Sequence, residues 1–422
     1  MISMHTCPLA TLGGKETGGM NVYIRDLSRE LARHGHHVDV YTRSQNPNVK
    51  QVNHGLGENA RVIHIPAGPA RSLDKEIVLS YVPDFVSGVV SFAAQAGIAY
   101  DVIHSHYWLS GWAARELRRE WHIPVIQMFH TLAHMKNSVA QSEAEKESQA
   151  RIDIEREVMA FADRLVAATP MERAQMAWLY GADPDKISVV PCGVDTNLFV
   201  PQPRPAAREQ LGLPADQPII LFVGRIEPLK GIDTLIRAIS VVVHRSNLQT
   251  LDSGPTVLII GGTPEDSPTA NAHEVQRLQS LREELDLTNR IVFLGSRPQE
   301  ILPLYYSAAD MVVVPSHYES FGMVALEAMA CGTPVIASKV GGLSLSVQDG
   351  VTGYLVPNGD PDRLADRIEL LLGEPGLAEA IGNRAVEWAR QFRWPIIARR
   401  ILDIYDEVGE RKAASKCCGC RH

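Results

Sequence analysis

Arg225 and Lys230 are the first residues whose type and spacing suggest chemistry. They lie in Phe222-Val223-Gly224-Arg225-Ile226-Glu227-Pro228-Leu229-Lys230-Gly231, on the loop that follows a short apolar run. A guanidinium fork and a lysine point charge give fixed positive charge to a diphosphate that departs as a leaving group, and they do so without a metal. Either cation alone reads as a solvated loop charge; the pair, framed by Gly224 and Gly231, reads as an anion site. A second segment, Glu319-Ser320-Phe321-Gly322-Met323-Val324-Ala325-Leu326-Glu327, holds two carboxylates. Taken as a helix over 321–331 entered at Glu319, the spacing is about 2.2 turns and puts the two within about 80° of each other around the axis. They could then accept hydrogen bonds from sugar and ribose hydroxyls while N–H groups near Gly322 face phosphates. The plainer reading of either acid is a solvated group on a capped helix. Gly18-Gly19, ahead of Met20-Asn21-Val22-Tyr23, would let a helix start approach a phosphate or sugar closely, or simply make a tight turn. It is not the G-x-G-x-x-G fingerprint, so hydride chemistry gains nothing from it.

The elements that must carry these groups alternate. Short β-rich runs at 1–5, 37–42, 61–65, 102–105, 125–129 and 164–168 are separated by amphipathic stretches at 20–35, 86–96, 111–121 and 143–161. A Pro-rich polar stretch, 196–217, reads as a linker between an N-terminal domain, 1–195, and a second domain, 218–391, that repeats the alternation. Strand and helix in this rhythm predict an α/β chain of two Rossmann-like, doubly wound parallel-sheet domains. Their ligand crevices lie outside the carboxyl ends of the strands, so a reactive cleft between facing domains is expected. The first run begins at residue 1 with no lead-in, which points to an N-terminus trimmed or misassigned.

Composition excludes several classes. Across 422 residues, 41 Lys+Arg against 49 Asp+Glu give a net charge of −8, which offers no positive field to a nucleic acid or an anionic membrane. The apolar stretch 85–100 is interrupted by Ser87, Ser91 and Gln95, is shorter than the roughly 18 residues a membrane span needs, and reads as a core helix. Six cysteines at uneven spacing do not make a disulfide framework and no signal core opens the chain, so a cytoplasmic setting follows. The lone Cys417-x-x-Cys420 near His422 lacks the second ligand pair of a zinc site and reads as part of a mobile tail, 413–422. Asp183-Pro184-Asp185 and Asp360-Pro361-Asp362 read as turn and helix-start chemistry, not as metal ligands.

Together these residues resemble the retaining glycosyltransferases of family 4, over nearly the whole chain. The resemblance implies the GT-B architecture, a UDP-sugar donor and no required metal or other cofactor. It implies that Arg225 and Lys230 bind the donor diphosphate, that Glu327 takes the ribose hydroxyls, and that Glu319 with Phe321 and Gly322 holds the transferred sugar. Gly18 and Gly19 would approach the donor, Arg297 would sit against the base, and His130 would stand beside the sugar. A final helix, 392–412, would return to the N-terminal domain. Retention without a protein nucleophile implies a front-face route in which the departing diphosphate helps take the acceptor proton.

Lys75, Tyr107, Thr131 and Arg151 match positions that bind an acceptor phosphate in relatives acting on inositol phosphate, with Asn21 toward the acceptor sugar. A phosphorylated sugar or cyclitol acceptor is therefore expected. Two subfamilies fit. Gly19-Met20-Asn21 and His130-Thr131-Leu132-Ala133…Lys136-Asn137 resemble the transferase that places N-acetylglucosamine on inositol phosphate in mycothiol synthesis. Gly14-Lys15-Glu16-x-Gly18-Gly19 resembles the short bacterial sucrose-phosphate synthases, although these usually carry Gln at Met20. The expectation leans to UDP-glucose and fructose 6-phosphate, with the inositol-phosphate transferase as the alternative and a nucleotide-sugar epimerase as a more distant one. A pyridoxal-phosphate phosphorylase would need a longer chain, and a non-catalytic binder would not need the Arg225, Lys230, Glu319 and Glu327 set. Domain closure over both substrates is expected, because water must be kept from an activated glycosyl group. Oligomeric state is left open.

Overall fold

A computed structural model describes residues 1–11, 17–140, 142–245, 254–262 and 272–419. The chain divides into two compact units. One comprises Met1–Ala10, Gly19–Pro191 and the segment from Trp394; the other comprises Thr11–Gly18 and Cys192–Arg393.

In the second unit the parallel strands stand in the spatial order Ile291–Gly295, Thr256–Ile260, Ile219–Val223, Met311–Val314, Val335–Ser338, Gly353–Val356. This is the doubly wound order, and it reverses between Ile219–Val223 and Met311–Val314. The strands are almost entirely apolar because helices cover both faces. Ile232–Arg245 shows how one helix meets that demand: Ile232, Leu235, Ile236, Ile239 and Val242 fall on one stripe and are buried.

The first unit repeats the plan. Val38–Arg43 pairs in parallel with Ala60–Ile65, and Ile103–His106, Val125–Met128, Arg164–Ala167 and Ile187–Val189 form a parallel run. The N-terminal segment stitches the two sets. Ser3 N donates to Tyr41 O at 2.9 Å and Arg43 N to Met4 O at 3.0 Å, while Ile2 N donates to His104 O at 2.9 Å and His106 N to Ile2 O at 3.0 Å. The sheet order therefore reverses about this N-terminal segment, whose Ile2 bridges Tyr41 and Ser105, between Val38–Arg43 and Ile103–His106. The short Val52–Asn53 strand is antiparallel at the edge.

Several local expectations need revision. Residues 196–217 are not a bare linker: Arg204–Leu211 is a helix that ends on Gly212 in the left-handed region, and buried Arg208 binds Asp310 at 2.9 Å and the Ala308 carbonyl at 2.9 Å. The long helix expected over 143–161 begins only at Gln149, where the Ser148 hydroxyl accepts from Arg151 N. The last helix runs Trp394–Gly419, so much of the expected tail is helical; Cys420 and His422 lie outside the described residues. Asp183 and Asp360 cap their elements, accepting from Asp185 N and Arg363 N at 3.0 Å each. Among the described residues no helix is long and apolar enough to cross a membrane.

Candidate active site

In the second unit, the loops after the two strands flanking the reversal are locked together. The loop after Ile219–Val223 closes in a 3-10 turn, Pro228–Lys230, and Gly231 follows at φ 64°. A Cβ at Gly231 would stand 2.1 Å from the Pro315 carbonyl oxygen, so only glycine lets this loop approach the one after Met311–Val314. His317 N also donates to Leu229 O at 2.9 Å. Sequence-distant motifs thus meet: Lys230 Nζ donates to Glu319 Oε2 at 2.6 Å. Arg225 pairs with Glu227 at 2.9 Å, and a Cβ at Gly18 would lie 3.5 Å from Arg225 Nε.

Glu319 and Glu327 do not share a helix. The helix is Met323–Ala330, capped by Gly322 at φ 91°, so Glu319 lies in the preceding loop and not on the helix. Another pair of glycines places that loop. Gly342 N donates to Glu319 O at 2.9 Å, a Cβ at Gly341 would be 2.0 Å from that same oxygen, and one at Gly342 would be 2.2 Å from Phe321 Cα. Sequence reasoning missed Gly341 and Gly342; the dipeptide after an apolar strand was their signal. No side chain caps the Met323–Ala330 helix, and Phe321 is buried behind it. Glu327 is buried too, accepting from the Tyr306 hydroxyl at 2.8 Å and Gln299 Nε2 at 3.4 Å. Burial and this carboxylate push the Tyr306 phenol well up. Arg297, past the strand Ile291–Gly295, donates to Ser296 O at 3.1 Å and Tyr305 OH at 3.4 Å.

In the first unit, Lys75, Tyr107, Thr131 and Arg151 come together although they are scattered in sequence. The Tyr107 ring has Arg151 4.8 Å from its centroid and Lys75 Nζ 5.5 Å from it. Arg151 Nη1 donates to Tyr107 OH at 2.9 Å and Nη2 to Thr131 Oγ1 at 3.2 Å and Thr131 O at 2.9 Å. Its remaining N–H groups meet Glu155 at 2.8 Å and Glu147 at 2.9 Å. All five guanidinium donors are therefore engaged within the protein. Arg151 and Lys136 hold the Glu147 carboxyl down at about 2 against desolvation, which by itself would raise it. Asn21 is buried and gives both amide hydrogens to Thr6 Oγ1 and Cys7 O at 2.8 Å, so it holds the loop at Thr6–Cys7. Gly19 opens the helix Gly19–Arg33 in the same unit.

Tyr107 and His130 each follow a strand and each takes a positive φ, 76° and 62°. Tyr107, with ψ 161°, is in a region almost confined to glycine. Such strain collects where side chains must be aimed, and no residue type announced it. His130 is partly exposed, its Nε2 lies 3.1 Å from His106 Nδ1, and desolvation holds it near pKa 3, hence neutral.

Two sheets of reversed order, each with polar groups gathered at strand carboxyl ends, fit the glycosyltransferase class, and comparison shows that class. Residues 17–198 match Glycosyltransferase Family 4 and residues 203–388 match Glycosyl transferases group 1. The chain belongs to the family 4 glycosyltransferases, with the GT-B fold. It is 42% identical over 411 residues to the D-inositol 3-phosphate glycosyltransferase of Corynebacterium efficiens, covering 97% of this chain and 95% of the relative. It is 42% identical over 413 residues to the protein of the same name from Actinosynnema mirum, covering 97% and 96%. Among solved structures, sucrose-phosphate synthase from Thermosynechococcus elongatus is similar at TM-score 0.88 and 36% identity, covering 96% of this chain and 98% of that one. The expected sucrose-phosphate synthase activity is overturned by the curated relatives at 40–42% identity, which carry the inositol-phosphate name. The Gly14-Lys15-Glu16 motif that favoured it lies outside the described residues, and Met20, where that subfamily carries Gln, packs against the apolar core.

Proposed function

We propose that the chain transfers an N-acetylglucosaminyl group from UDP-N-acetylglucosamine to D-inositol 3-phosphate, with retention at the anomeric carbon and without a metal. The observation that carries this reading is the convergence of Lys75, Tyr107, Thr131 and Arg151 on one patch. Lys75 brings its ammonium group to the Tyr107 ring beside the Arg151 network. A phosphate answers that charge. Because Arg151 donates to the oxygens of Tyr107 and Thr131, the hydroxyl protons of those residues are directed away from it and are suited to a phosphate oxygen. Lys75 and the two hydroxyls therefore make the direct contacts, and Arg151 acts through them and through its charge.

On the donor side, Arg225 and Lys230 take the diphosphate, Glu327 the ribose and Glu319 the sugar, with N–H groups at Gly322 and Met323 toward phosphate oxygens. The anomeric C–O bond to the diphosphate breaks as the inositol oxygen bonds to the same face, and the inositol proton passes to the leaving phosphate oxygen. A mass-resolved assay tests the reading: UDP-glucose and UDP-N-acetylglucosamine are each offered with fructose 6-phosphate and with D-inositol 3-phosphate. Product is expected from the N-acetylglucosamine and inositol pair alone, at a rate unchanged by chelator. A sucrose phosphate product, or no inositol product, would refute it.

A further inference from the structure

Three histidines stand in line behind the reactive end of the first unit. His104 and His106 share a face of the strand Ile103–His106, and His130 follows the neighbouring strand Val125–Met128. His106 Nδ1 lies 3.1 Å from His130 Nε2, a distance with room for one proton between two neutral rings. The His104 ring lies 4.3 Å from that of His106, and its Nδ1 meets the Tyr405 hydroxyl at 2.8 Å. Tyr23 packs edge-on against His106 and His130, with ring centroids 5.8 and 5.1 Å away. His106 is fully buried, and its Nε2 has no hydrogen-bond partner among the described residues.

That orphaned nitrogen decides where the protons sit. A buried N–H without an acceptor is more costly, and rarer, than a buried lone pair without a donor. Nε2 of His106 therefore carries the lone pair and Nδ1 the proton. Nδ1 donates to His130 Nε2, and the single proton of neutral His130 is left on its own Nδ1. We infer that His106 is a positioning residue that locks His130 in the Nδ1–H form, so that the partly exposed His130 ring offers the transferred sugar a donor and not an acceptor. The last clause rests on the proposed transfer reaction; the tautomer does not.

Long-range 1H–15N correlation spectra of histidine-labelled, substrate-free protein separate the two nitrogens of each ring. His130 is expected to show a protonated Nδ1 and an unprotonated Nε2 in the wild type, a pattern lost in His106→Leu and regained in His106→Asn, whose amide supplies a donor in place of Nδ1. In the transfer assay His106→Leu is expected to lower kcat about tenfold with acceptor KM little moved, and His106→Asn to recover most of it. A protonated Nε2 on wild-type His130, or equal loss in the Leu and Asn variants, would overturn the inference. The expected tautomer in a wild-type protein that glycosylates no inositol 3-phosphate would support the lock and refute the transfer reading instead.

Discussion

Lys230 and Glu319 hold each other at 2.6 Å with only 17% and 18% of their side chains exposed. Replacing Lys230 with Ala leaves Glu319 without its cation and, in the proposed reaction, would withdraw charge from the leaving diphosphate. The expected outcome is a fall in kcat of about 10²–10³, measured in steady state with saturating donor; a variant within a few-fold of wild type would remove Lys230 from the chemistry. On the acceptor patch the informative substitution is not at Arg151. Arg151→Met takes the only cation from the fully buried Glu155 among the described residues, while Glu147 keeps Lys136, and should cost about 3–5 kcal/mol of stability, visible as a lower denaturant midpoint. Lys75→Met leaves that network intact and is expected to raise acceptor KM about tenfold with kcat nearly unchanged. Unaltered acceptor KM in both Lys75→Met and Thr131→Val would show that the phosphate binds elsewhere.

At the scale of elements, the site depends on places where two backbones touch. Gly231 and Gly342 are such places, with added Cβ atoms 2.1 Å from Pro315 O and 2.2 Å from Phe321 Cα. Gly342→Ala is expected to push the loop from Glu319 to Gly322 out of place and to weaken UDP binding by calorimetry. Gly376, near the start of the helix Pro375–Ala389, meets nothing within 4 Å; Gly376→Ala should instead stabilise by about 0.5–1 kcal/mol by thermal melting. Much of this level was legible beforehand. Gly224, Gly231 and the cations between them marked a tight loop after a strand, because glycine and charge are local signals. The helix start was misplaced because nothing in Phe321-Gly322-Met323 says where a left-handed Gly322 will end the loop; that is set by its packing on Leu343 and by the Gly341-Gly342 turn.

The whole molecule should show a marked pH dependence. Burial lowers His104 and His130 to about 3 and takes His106 well below its ordinary value. A histidine whose pKa is lowered in the folded state binds its proton mainly when unfolded, so its contribution is intact above about pH 6.5 and is lost as pH falls toward 3. Each such group steepens the loss by up to about 1.4 kcal/mol per pH unit. Glu172, raised by burial to about 7, acts oppositely between its ordinary value and 7, but it is one group against these three and His5, which burial also takes well below its ordinary value. Urea midpoints measured from pH 7.5 to 4.5 should therefore fall, and a flat profile would contradict the neutral buried histidines. The two units should also separate in binding: UDP affinity should drop in Lys230→Ala and stay unchanged in Lys75→Met.

The sequence alone determined the α/β alternation and, through resemblance, the transferase family, because periodicity and short motifs act over a few residues. It also brought Lys75, Tyr107, Thr131 and Arg151 into one list, though only through resemblance. Tertiary structure decided what those residues do. Arg151 proves to be spent on internal partners, Asn21 on the Thr6–Cys7 backbone and hydroxyl, and Glu319 on Lys230. Hydrogen-bond partners and desolvation depend on groups far apart in the chain, so neither the saturation of Arg151 nor the line from Tyr405 through His104 and His106 to His130 can be read from spacing.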